Sequence, residues 1–138
     1  MKISLLARTG ATLVAVGFAV FLFGVFPDAL ELDETPGLGL LQIVTFLFGI
    51  TVMTGGASLY MYATRHRAHA PRLREDVGVR LMATGVVIAY ASGLADILGI
   101  GSHFGVERPL FGALQAAGVA VGVAVIIVGV ALYASPRR

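Results

Sequence analysis

Four apolar runs separated by short polar stretches divide this chain. They cover residues 5–26, 38–64, 77–98 and 110–134. A helix needs about 20 predominantly apolar residues to cross a hydrocarbon core roughly 30 Å thick, and every run reaches that length. The pattern predicts an all-α, four-helix transmembrane bundle, with residues 1–138 forming a single integral membrane domain. Lys2 and Arg8 around the start of the first run also fit a signal peptide. No small-x-small cleavage site follows that run cleanly, so a retained helix is expected.

The runs echo one another. Pro36-Gly-Leu-Gly-Leu-Leu-Gln42 and Pro109-Leu-Phe-Gly-Ala-Leu-Gln115 share the pattern P-x-x-G-x-L-Q, and each opens a long apolar stretch. Register extends the match. Arg8, Ala11, Thr12 and Leu22 align with Arg80, Ala83, Thr84 and Leu94 at an offset of 72, and Gly49, Gly56, Leu59 and Tyr60 align with Gly122, Gly129, Leu132 and Tyr133 at 73. Two tandem, similar hairpins are expected, with repeat units at about residues 1–70 and 71–138. Both copies would enter the membrane from the same side, a parallel duplication with a pseudo-two-fold axis along the membrane normal. Proline is expected at the first helical position, where it loses no needed hydrogen bond.

Small residues recur every seven positions: Gly10, Gly17 and Gly24; Gly49 and Gly56 after Gln42; Gly78, Gly85 and Ser92; Gly122 and Gly129 after Gln115. A seven-residue repeat keeps one stripe facing a partner in a left-handed crossing. In lipid, where apolar burial does not drive helices together, small residues permit close van der Waals contact. Gly10, Gly17, Gly24, Gly49, Gly56, Gly85, Gly118, Gly122 and Gly129 are therefore the expected helix-packing positions, within the chain or against another subunit.

Composition supports the membrane reading: 57% of residues are hydrophobic and 13% charged, too little charge to cover a soluble surface. With no cysteine, the chain has no disulfide, thiolate nucleophile, iron–sulfur cluster or cysteine-ligated zinc. The basic pI would fit nucleic acid, but the basic residues sit at the ends of apolar runs, and no nucleic-acid partner is expected. Nine of the ten basic residues, all but Arg108, fall on one side of the four spans. The positive-inside rule then places both termini in the cytoplasm, with Arg8, Arg65, Arg67, Arg72, Arg74 and Arg80 as cytoplasmic anchors. Asp28, Glu31, Asp33 and Glu34 would face outward.

Candidate chemistry is sparse. Asp96 is the one carboxylate expected inside a span, near the outer end of the third helix; in the 72-residue alignment it replaces Gly24. Gln42 and Gln115 lie at similar depth, so the three form the candidate polar site. His66, His69 and His103 fall in loops rather than spans, which disfavours bis-histidine haem. Asp96, His103 and Glu107 lack the fixed spacing of a metal site, and Ser102, His103 and Asp96 share only residue types with a hydrolytic triad. No catalytic residue, metal or cofactor is predicted. The eight phenylalanines crowd the outer half and would suit a lipophilic ligand or simple packing.

The favoured function is a non-catalytic small polytopic membrane protein, an accessory or scaffold subunit packing through small-residue faces in a larger or homo-oligomeric complex. The alternative is a small oligomeric channel or transporter with a polar site near Asp96, Gln42 and Gln115. A third reading is a binder of a quinone, pigment or lipid. The expected partners are the bilayer and other membrane subunits, or further copies of the chain.

Overall fold

A computed structural model describes residues 4–26, 39–65, 72–99 and 111–136. They form four helices: α1 (Leu5–Val25), α2 (Leu40–Arg65), α3 (Leu73–Gly93) and α4 (Ala113–Ala134). Three of them, α1, α2 and α4, are long and apolar enough to cross a membrane. Helix α3 differs because Arg74, Glu75, Asp76 and Arg80 fall in its first two turns.

Helix α3 departs furthest from the expected spans. It begins at Leu73 rather than 77 and ends at Gly93 rather than 98. Its start is extended by Glu75, whose Oε2 accepts the backbone N–H of Arg72 at 2.8 Å. That bond satisfies one donor left over at a helix N-terminus, so charged residues that look like loop can be helical. Its end unwinds into turns in which Ala95 and Gly99 donate to carbonyls three residues back, and Gly99 takes a φ of 73°. That left-handed angle suits a residue without Cβ.

Glycine stripes close each hairpin. A Cβ built on Gly10 would lie 2.6 Å from the Tyr60 nitrogen, one on Gly17 2.5 Å from that of Met53, and one on Gly49 2.5 Å from that of Phe21. The carbonyl oxygens of Gly78 and Gly129, and of Gly85 and Gly122, approach the partner glycine just as closely in the α3–α4 hairpin. Backbone thus packs on backbone at every step, and any side chain would push the pair apart. Moving along α1 from Gly10 to Gly24, the partner moves back along α2 from Tyr60 to Phe46, so the helices run antiparallel.

The two hairpins close through comparable contacts. Gly10 meets Gly56 and Tyr60, while Gly78 meets Gly129 and Tyr133; Gly17 meets Met53, while Gly85 meets Ile126. Tyr60 and Tyr133 are 73 positions apart, as the alignment expects, but Gly10 and Gly78 are 68 apart rather than 72. The difference is about one helical turn. Ser92 lies opposite Gly118. The alignment followed Arg8 and Arg80, whose side chains are exposed and place no demand on the neighbouring helix.

Helix α2 joins the two hairpins. Ile43, Leu47 and Ile50 are almost completely buried, and Leu47 packs on the bare face of Gly93. The Thr51 and Tyr90 hydroxyls meet at 3.0 Å, and the Ser58 hydroxyl approaches the Met82 sulfur at 3.7 Å. Hydroxyls elsewhere satisfy themselves inside their own helix: Thr9, Thr12, Thr45, Thr54, Thr64 and Thr84 each donate to the carbonyl four residues earlier. Such bonds let polar residues sit in a helix surrounded by lipid.

Candidate functional site

The repeated P-x-x-G-x-L-Q stretch proves to be a device for starting a helix. In α4, Gly112 is the N-cap and Gln115 the third helical residue; the Gln115 Oε1 accepts the Gly112 backbone N–H. In α2, the Gly39 N–H reaches the Gln42 Oε1 at 3.0 Å, and the Gly39 carbonyl accepts the Gln42 and Ile43 amides. Each glutamine therefore supplies the back-reaching half of a capping box. The first helical residues are Leu40 and Ala113, not proline. Pro36 and Pro109 lie outside the described residues.

Burial accompanies capping. Gln42, Glu75 and Gln115 are all buried, as is Thr54. Glu75 precedes the apolar run at 77–98 in the sequence but lies buried inside α3. The residue at the N-cap of that helix is Arg72, not one of the usual Ser, Thr, Asp or Asn caps, so the start was not marked in the sequence. The Gln115 Nε2 is buried and has no hydrogen-bond partner among the described residues.

Gln42 and Gln115 each stand third in their helix as α2 and α4 begin, and Asp96 follows the end of α3. Gln42 is on the stripe of Gly49 and Gly56, which faces α1, and Gln115 is on the stripe of Gly122 and Gly129, which faces α3. Asp96 is exposed, in the turns beyond the last residue of α3. Both glutamine side chains bond to the backbone where their helices start.

All nine expected packing glycines face another element. Gly10, Gly17 and Gly24 meet α2; Gly49 and Gly56 meet α1; Gly85, Gly118, Gly122 and Gly129 lie within the α3–α4 pair. Gly55, by contrast, faces open space.

The described arginines sit at one end of the helices. Arg80 pairs with Asp76 at 3.0 Å along α3, and Arg65 donates to the Ser135 carbonyl at 3.4 Å, tying the end of α2 to that of α4. Arg8, Arg72 and Arg74 are exposed, and Arg67 lies outside the described residues. No cluster of three metal-ligating side chains occurs among the described residues. His66, His69, His103 and Glu107 also lie outside them.

The phenylalanines separate into two groups. Phe18, Phe23, Phe26 and Phe48 are exposed on outward faces. Phe21, Phe46 and Phe111 converge edge to face, with ring centroids 6.4 Å apart for Phe21–Phe46 and 5.6 Å for Phe46–Phe111. They border an apolar cleft of about 430 Å3 between the first hairpin and α4. Phe104 lies outside the described residues.

Searches against known protein families, curated proteins and solved structures returned no match.

Proposed function

We propose that this chain is a non-catalytic integral membrane protein, built from two duplicated hairpins, that serves as an accessory or scaffold subunit. The observation that carries the reading is where the polar groups go. Gln42, Glu75 and Gln115 cap helix starts, the threonines bond back within their own helices, and Asp96 is exposed beyond α3. Polar groups arranged in this way build helices, whereas a solute path needs them turned toward a shared interior. Outward faces of α1 and α4 carry Phe18, Phe23, Ile127 and Val128, which suit lipid or another apolar subunit. Because the glycine stripes close the hairpins internally, a partner subunit would meet these bulky faces instead. The basic ends of the helices support a topology with both termini in the cytoplasm.

Purification from native membranes in a mild detergent tests the reading. Co-elution of a larger membrane protein in fixed stoichiometry supports the subunit. A homo-oligomer that conducts or exchanges a solute in liposomes overturns it in favour of the channel or transporter. One observation favours that second reading: the buried Gln115 Nε2 has no hydrogen-bond partner among the described residues, which leaves a polar donor beside the helix start.

A further inference from the structure

We infer that the cleft between the first hairpin and α4 holds one acyl chain of a membrane phospholipid. The cleft arises from the architecture. Each hairpin is zipped along its glycines, but the hairpins meet chiefly through α2, so α1 and α4 leave a gap where they flank it. The floor of the gap is low because Ala116, Ala120 and Ala124 follow one another at four-residue spacing on α4. Phe21, Val25 and Phe46 line it from the first hairpin, with Phe111 just ahead of α4 and Ile127 further along α4.

Size, shape and chemistry agree on the occupant. At about 430 Å3 the cleft is in the range of small-ligand pockets. From Ala116 to Ile127 it runs roughly 16 Å along the helix at 1.5 Å per residue. One leaflet of hydrocarbon, half of the core, is about 15 Å thick. An extended chain lying parallel to α4 therefore fits from the interface to the midplane. None of the lining side chains carries a hydrogen-bonding group. A quinone ring or a polar pigment would lose its water contacts there without gaining a partner, whereas a saturated tail loses nothing. Left empty, the walls would forgo dispersion contacts on one side.

The inference rests on the membrane reading but not on the subunit reading. The chain contains no tryptophan, so a single reporter can be placed in it. Phe111→Trp puts that reporter at the end of the cleft, and Val128→Trp puts one on an exposed outward face. Each variant, delipidated in detergent, is titrated with phosphatidylcholine brominated along its acyl chains. The expected result is saturable quenching at Phe111→Trp, reaching its plateau near one lipid per chain, and only gradual, unsaturated quenching at Val128→Trp. Adding Ala120→Phe to Phe111→Trp fills the floor and raises the half-saturating lipid concentration at least tenfold. If that variant loses its helical circular dichroism, the smaller Ala124→Leu takes its place, with the same direction expected. Identical quenching at the two positions, or indifference to both cleft-filling changes, overturns the inference, as does displacement of the brominated lipid by a tightly retained quinone. A chain that leaves the membrane fraction without detergent overturns the membrane reading itself, which separates the two failures.

Discussion

Gly85 and Gly122 face each other so closely that a Cβ on Gly85 would lie 2.5 Å from the Gly122 carbonyl oxygen, and one on Gly122 2.6 Å from that of Gly85. Both neighbours are backbone, so neither can rotate aside. Gly85→Ala and Gly122→Ala should each destabilise the α3–α4 hairpin by about 1–3 kcal/mol, the usual range for overpacking. Gly55, with nothing near it, is the control: Gly55→Ala should be neutral or stabilise by up to about 1 kcal/mol through helix propensity. Thermal or steric-trapping measurements in detergent would separate the two classes, and equal effects at Gly85 and Gly55 would refute the packing.

Thr51 and Tyr90 supply a polar link between the hairpins. Hydrogen bonds between helices in lipid average about 0.6 kcal/mol by double-mutant cycles. A cycle built from Tyr90→Phe and Thr51→Val should return a coupling of about that size. A coupling indistinguishable from zero would mean the two hydroxyls do not hold the hairpins together.

Gln115 combines a useful bond with an unused group. Its Oε1 caps Gly112, while its Nε2 is buried without a partner among the described residues. Losing an N-terminal cap costs about 1 kcal/mol, and an unsatisfied buried donor about 1–3 kcal/mol. Gln115→Leu removes both, so its net effect on stability should be zero to slightly favourable. A loss above roughly 2 kcal/mol would show that the amide donor does have a partner in the assembled protein.

Asp96 lies exposed in the turns after α3. Asp96→Asn should change stability by less than about 0.5 kcal/mol, as surface changes usually do. Complex assembly should be equally unaffected, as native gels would show. A loss of assembly with unchanged stability would return Asp96 to the candidate site.

Orientation can be tested with the cysteine-free background. Asp33→Cys, in the acidic loop, should react with a membrane-impermeant maleimide added to intact cells. His69→Cys, in the basic loop, should react only after permeabilisation. The reverse pattern would contradict the positive-inside assignment.

Helix number and approximate position were legible because long apolar runs and charge segregation are local properties of the chain. The glycine stripes were legible too, since a seven-residue period needs no knowledge of the partner. Glu75 was missed because charge normally marks the end of an apolar span, and only its bond to the Arg72 amide shows that the helix has already begun. Proline was expected to open the helices at a point where Gly39 and Gly112 instead serve as N-caps, with a glutamine three residues on supplying the bond.

Sequence by itself determined four apolar segments, their charge asymmetry and which residues are small enough for close approach. Tertiary structure decided which stripe meets which. Arg8 and Arg80 can be matched in an alignment because they are identical, but helices pair through the residues between them. Gly10 and Gly78 set the register, since only an absent side chain lets two backbones touch. The same structure also gathered Phe21 of α1, Phe46 of α2 and Phe111, just ahead of α4, around one cleft. Depth along a helix is readable from position in the chain; direction around the helix toward a neighbour is set only when the helices pack.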